Sequence, residues 1–210
     1  MSEQVDGQKE GTNQDAAKNF LVLIGGTLFL GLLAVGLAFL FKIRLQYYFF
    51  WRWSDLLIGI VATAPLAGFL FWFVKTSNPQ LASFRESQIE FFAQIGFTFT
   101  IPRILLMGLG AGIFEELLFR GVFQTGAERF MPVIAAIIVT NIFFGLLHWR
   151  TVLYAVIAGI LGAYLGIMFW LTGNLLAPMV THTLYDIIAL WYTRVAIVAY
   201  RAQKPLPASE

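Results

Sequence analysis

The sequence predicts an all-α polytopic membrane protein of about six transmembrane helices, with five to eight compatible with the pattern. Three observations carry this. Of the 210 residues, 59% are apolar and only 12% charged, half the charge of an ordinary soluble domain at roughly 25%. Apolar runs of about 20 residues recur, the length that crosses a hydrocarbon core about 30 Å thick at about 1.5 Å per residue. The ionisable residues that remain inside those runs fall in the last few of them, at helical spacing.

Residues 1–18 form a polar tail of mixed charge, too poor in apolar residues to pack, and are expected to be disordered. The first apolar run follows over 19–41, bracketed by Lys18 and Lys42. It is too long for the apolar core of a signal peptide, and no basic segment precedes it. The second run is 56–74, closed by Lys75. Between them KIRLQYYFFWRWSD interleaves Arg with Tyr, Phe and Trp, the composition of an aromatic belt at a membrane surface. Residues 79–100 mix Arg85, Glu86 and Glu90 with several Phe, which suits a helix lying in the interface. Pro102 divides this stretch from the third run, 104–123. Runs 133–148, 152–171 and 175–198 complete the set, making residues 19–199 a single helical membrane domain before a short tail, 200–210.

Six crossings place both termini on one side. That side collects Lys9, Lys18, Lys75, Arg85, Arg103, Arg150, Arg194, Arg201 and Lys204, against Lys42, Arg44, Arg52 and Arg129 on the other. The bias favours cytoplasmic termini, and the lack of a large soluble domain suits a bacterial inner (plasma) membrane. A net charge of +2 and no basic run give no footprint for nucleic acid. The absence of cysteine removes disulfides, thiolate metal sites and a thiol nucleophile. The Gly108, Gly110, Gly112 series has no strand before it, so it is no phosphate loop. Gly108 with Gly112, Gly162 with Gly166, and Gly145 are instead places for close helix packing.

Glu115, Glu116, Arg120, His148, His182 and Asp186 lie inside the apolar runs, and they include both histidines of the chain. A central charged side chain costs about 2.5 to 3.5 kcal/mol on insertion scales, so six facing lipid would cost on the order of 10 kcal/mol or more. They must face inward and meet one another. Glu116 and Arg120 are four apart and can pair on one helical face. Glu115, about 100° round an α-helix from Glu116, is free to point elsewhere. His182 and Asp186 are also four apart, and Asn141, Phe144 and His148 form a third stripe. Such a cluster is either a site or an ion-pair network that only fixes packing; buried ionisable groups in membranes favour the site.

Glu115-Glu116-x-x-x-Arg120 (EELLFR), Phe144-x-x-x-His148 (FGLLH) and His182-x-x-x-Asp186 (HTLYD), in that order, resemble the three motifs of the CAAX-protease and bacteriocin-processing (CPBP or Abi) family of intramembrane peptidases. Type II CAAX prenyl endopeptidases belong to that family. The resemblance covers about residues 105–192. It implies an intramembrane endopeptidase with its site inside the helix bundle, cutting a hydrophobic or lipidated peptide, either a prenylated CAAX type or a leader. Glu115 would activate water with His148; His182 would stabilise the oxyanion, oriented by Asp186; Glu116 and Arg120 would hold the helix, with Asn141 and Phe144 in support. The chemistry suits these types independently, since hydrolysis needs a base and an oxyanion donor. The partners implied are membrane lipid and that peptide, with no nucleic acid. No cofactor is required by this reading, although Glu115, His148, His182 and Asp186 are also a candidate Zn²⁺ set, so glutamate-type and metal-dependent peptidases both stay open.

Serine, site-2 and aspartyl types of intramembrane protease fail by inspection. No Ser lies between Ser87 and Ser209, there is no His-Glu-x-x-His, and Asp186 is the one Asp deep in a run. The alternatives from other classes are a transporter or proton relay, against which the halves show no repeat, and a catalytically idle immunity or scaffold protein of the same fold.

Overall fold

The computed structural model describes residues 2–94 and 97–203, with side chains from residue 17 onward. Among these residues every regular element is helical. The order is α1 (Ser2–Leu40), a short 3₁₀ turn (Leu45–Tyr47), α2 (Trp53–Lys75), α3 (Pro79–Gln94), α4 (Ile101–Gly110), two π-helical stretches (Ala111–Glu115 and Leu117–Gln124), α5 (Thr125–Ala127), α6 (Val133–Leu147), α7 (Val152–Thr172) and α8 (Leu176–Gln203). The side chains of the expected polar tail lie almost entirely outside the described residues, as do residues 204–210 of the expected C-terminal tail.

Among the described residues three helices are long and apolar enough to cross a membrane: Ala17–Leu40 within α1, then α2 and α7. The other three expected runs are helical with different character. Helix α6 is apolar but has only 15 residues. The run at 104–123 is split between α4 and the π-helical stretches, and α8 carries His182, Asp186 and Arg194 through its length. Leu32 is 74% and Phe39 88% exposed on the outer face of α1, a surface that fits an integral membrane protein rather than one bathed in water. The stretch expected at the interface forms α3 over Pro79–Gln94, which packs on α8. Pro102 sits in the first turn of α4, where its missing N–H has no intrahelical partner to lose.

Helix α8 is the spine: α2 and α4 pack along it, and the first π-helical stretch lies between it and α1, while α6 pairs with α7. Small residues set these distances. A Cβ on Gly112 would collide with the Thr183 side chain and stand 2.7 Å from its backbone nitrogen, so the π-helical stretch and α8 touch through a residue without a side chain. Gly145 does the same for α6 against the Ala155 carbonyl of α7, and Gly162 admits Asn141 and Arg120. Two sets of loop contacts mark the ends of the bundle. At one end Arg129 donates to the Phe41 and Lys42 carbonyls, and Asn174 ties the aromatic segment to the α7–α8 turn. Its Nδ2 donates to Asp55 Oδ2 at 2.7 Å and Phe50 O at 2.8 Å, and its Oδ1 accepts from Leu176 N. At the other end Arg85 Nη1 closes the C-terminus of α2 through the Phe73, Val74 and Thr76 carbonyls.

Gly112→Val overpacks the contact with Thr183, and a cost of about 1–3 kcal/mol is expected. It should lower the melting temperature of the purified protein in detergent. Gly25→Ala, with nothing within 4 Å of the added carbon, should leave it unchanged.

Candidate active site

The π-helical winding explains where the first motif points. In a π-helix the N–H of residue i bonds to the carbonyl of residue i−5, and here Thr125 donates to the Arg120 carbonyl from both its backbone N–H and its Oγ1. The turn is wider than an α-turn, so the 100° between neighbours taken from the sequence does not hold in this stretch. Glu115 and Glu116 still diverge. Glu116 is fully buried, whereas the Glu115 side chain is 16% exposed and lines a cavity.

Glu116 Oε1 is the shared acceptor of two donors. Arg120 Nη1 donates to it at 2.8 Å and His182 Nδ1 donates to it at 2.8 Å. The other guanidinium nitrogen, Nη2, donates to Asn141 Oδ1 at 3.0 Å and to the Gly162 carbonyl. Asn141 in turn donates to the Ile137 carbonyl, and the Phe144 ring lies 5.3 Å from the Arg120 guanidinium carbon. One cation thus joins the π-helical segment, α6 and α7, and through Glu116 it joins α8. Removing the partner of a buried charge is far more costly than trimming an exposed ion pair, so this set of bonds holds the helices at fixed relative positions.

The cavity, about 300 Å³, is walled by α2, α3, α7 and α8 and includes Glu115, His148, His182, Tyr154, Tyr185 and Asp186. His148, at the C-terminal end of α6, donates from Nδ1 to the Phe144 carbonyl at 2.9 Å. That bond settles the proton of the neutral ring on Nδ1 and leaves Nε2 as an acceptor, 3.8 Å from Glu115 Oε2. This is too far for a direct hydrogen bond. Glu115 Oε2 has no hydrogen-bond partner in the protein. Across the cavity His182 Nε2 stands 3.7 Å from Asp186 Oδ2.

The structure therefore brings Glu115, Phe144, His148, His182 and Asp186 to one cavity and Glu116, Arg120 and Asn141 to the layer behind it. The close partner of His182 is Glu116, from another helix, with Asp186 farther off. No three His, Cys, Asp or Glu side chains among the described residues stand close enough to hold one metal ion.

Several contributors carry weaker sequence signals. Gln124, fully buried, donates to the Gly166 carbonyl at 3.2 Å; its signal was an amide four residues after Arg120 in an apolar run. Tyr154 and Tyr185 line the cavity, but a tyrosine in a membrane helix is too common to single out. Gln88 and Arg85 reach the cavity from α3, a stretch whose composition suggests only an interface.

Arg120→Met leaves Glu116 buried without its cation, for which a loss of about 3–5 kcal/mol is expected. Unfolding in mixed micelles with increasing denaturing detergent should show it. Adding Glu116→Gln to the same chain should recover part of the loss; strict additivity of the two changes would contradict the coupling described.

Residues 96–188 match the family model of the type II CAAX prenyl endopeptidase Rce1-like proteins. The chain is also 32% identical over 92 residues to the uncharacterised protein YpbD of Bacillus subtilis (strain 168), a stretch that covers 42% of this chain and 44% of that protein. The match thus spans less than half the length of either. No solved structure matches. All three motifs fall inside the matched segment, and over residues 96–188 the chain is similar to the Rce1-like type II CAAX prenyl endopeptidases.

Proposed function

We propose that the protein is an intramembrane endopeptidase of the glutamate type that hydrolyses a peptide bond in a hydrophobic or lipid-attached substrate. The observation that carries this reading is the pair Glu115–His148. An unpartnered carboxylate oxygen and an imidazole nitrogen with a free lone pair face each other at 3.8 Å in a largely apolar cavity. A water bonded to both atoms can bridge that gap.

In the proposed reaction Glu115 takes a proton from this water, assisted by His148, and the water oxygen attacks the substrate carbonyl carbon. The carbonyl becomes an oxyanion. His182, its Nδ1–H held by Glu116, turns Nε2 into the cavity, and the doubly protonated ring donates from Nε2 to that oxyanion. As the tetrahedral intermediate collapses, the C–N bond breaks and the leaving amine takes the proton from Glu115. Asp186 flanks Nε2, with Oδ2 3.7 Å away. Glu116 and Arg120 position His182 and the π-helical backbone without touching the substrate. The matched Rce1-like family supports peptide hydrolysis as the reaction class and a prenylated CAAX-type peptide as the first substrate to try; a leader peptide is the other. Membrane lipid would surround the apolar outer faces of α1, α2 and α7 in six crossings of a bacterial inner membrane. The cavity would open at the end carrying α3 and the cytoplasmic termini.

With a fluorogenic farnesylated CAAX peptide, Glu115→Gln should lower turnover by about 10²–10⁴-fold, the usual worth of a positioned general base, with an unchanged melting temperature. Cleavage by the parent protein should persist in phenanthroline. Retained cleavage in the variant would sink the assignment of Glu115, and loss on chelation restored by Zn²⁺ would replace the glutamate-type mechanism by a metal-dependent one.

A further inference from the structure

Gln88 lies on the cavity wall with both of its side-chain polar atoms unpaired. Its Oε1 and Nε2 are closed off from solvent and have no hydrogen-bond partner among the described residues, yet the side chain borders the same cavity as Glu115, His182 and Asp186. Buried carboxamides in folded proteins are paired almost without exception. An amide left unpaired beside a cavity has a donor and an acceptor still to be satisfied, and a peptide that enters and displaces the side chains around it can supply both.

The helix bearing it is held on both sides of Gln88, so its direction is not incidental. Arg85 Nη1 donates to three carbonyls at the end of α2, at 2.7 to 3.3 Å. Arg150 donates to the Ser87 carbonyl at 3.3 Å, and its guanidinium carbon lies 4.0 Å from the centre of the Phe91 ring. Two residues further on, Glu90 accepts from the Tyr200 hydroxyl of α8 at 3.1 Å. The Arg150 contact matters most, because Arg150 follows His148 by two residues. Helix α3 is thereby anchored to the loop that carries the water-activating histidine.

A carboxamide offers a donor and an acceptor side by side, the same complement as a peptide group. A lipid chain or an apolar side chain has no use for either. Resting on the peptidase reading above, we propose that Gln88 is a substrate-binding residue that pairs with the main chain of one extended residue of the peptide near the bond to be cut. It takes that residue's N–H on Oε1 and gives Nε2–H to the same residue's carbonyl, the two groups an extended chain presents on one side. Recognition through the main chain fixes the position of the peptide and leaves its side chains unread. The apolar wall from α2 and α8, including Leu66, Phe69 and Leu190, takes the hydrophobic part.

The test measures binding, so that it does not depend on turnover. The non-cleaving Glu115→Gln protein, with and without Gln88→Leu, is titrated in detergent with a fluorescent farnesylated peptide. The same peptide is then used with one main-chain amide at a time replaced by an ester, at each of three positions around the expected cleavage point. Two hydrogen bonds lost should weaken binding of the all-amide peptide by about tenfold in Gln88→Leu. At one ester position the Gln88→Leu penalty should fall substantially, because the N–H that Gln88 would accept is already gone. The melting temperature should not fall, since an unpaired buried amide has been replaced by an apolar group. An equal penalty on every peptide, or no penalty, overturns the proposal, as does a lowered melting temperature, which would show that Gln88 pairs within the protein. Binding of none of the peptides overturns it as well. Gln88-dependent binding by a parent protein that cuts none of the amide peptides would overturn the peptidase reading alone.

Discussion

A guanidinium with no exposure to solvent sits at the junction of four helical segments, and the placement of Glu116, Asn141 and His182 follows from its pairing. Arg120 would be prohibitively costly in such a place alone. It is tolerated because Glu116, Asn141 and the Gly162 carbonyl each accept a hydrogen bond from it. These acceptors must come from different helices, since one turn cannot surround a planar fork of donors. Gly162 has to lack a side chain for the guanidinium to reach its carbonyl. Asn141 has to be an amide, because its own N–H must in turn be placed on the Ile137 carbonyl.

The arrangement divides the work of two adjacent carboxylates. Glu116 spends one oxygen on both Arg120 and His182 and is sealed from solvent. Glu115, one residue earlier, has no such partner and meets the open space. Neighbours in sequence thus have different environments, one paired through a single oxygen with a guanidinium and an imidazole, the other facing an apolar cavity with an imidazole opposite. Environment, rather than residue type, separates structural from reactive carboxylates. The wall behind the cavity is rigid where the cavity itself is open.

Much of this was legible in the chain. A 3.6-residue period, the apolar runs and the expense of charge in hydrocarbon suffice to bring Glu115, Glu116, Arg120, His148, His182 and Asp186 together. The helical class follows from composition. Other features left no usable trace. Nothing in AGIFEELLFRGVFQ distinguishes a π-helix from an α-helix, since the same small and apolar residues suit either winding. Asp55 looked like the end of an interfacial segment, since the second apolar run begins at Leu56. The helix begins at Trp53 instead, and Asp55 is buried against Asn174, 119 residues away. The orientation of His182 was ambiguous for a similar reason: spacing of four offers Asp186, whereas the nearer carboxylate comes from another helix.

The wide winding of residues 111–124 has a rival within the same chain, the ordinary α register, in which every N–H moves one carbonyl along. Changing register turns one part of a helix about its axis relative to another. Here the downstream part is locked by the bonds of Arg120 to α6 and α7, and the upstream part is pressed against Thr183 and Ile187 of α8 through Gly112 and Gly108. Turning either part would drive a side chain into a neighbouring helix. Glu115 thus stands between two clamped ends, and the bearing of its carboxylate toward His148 is set by the winding between them.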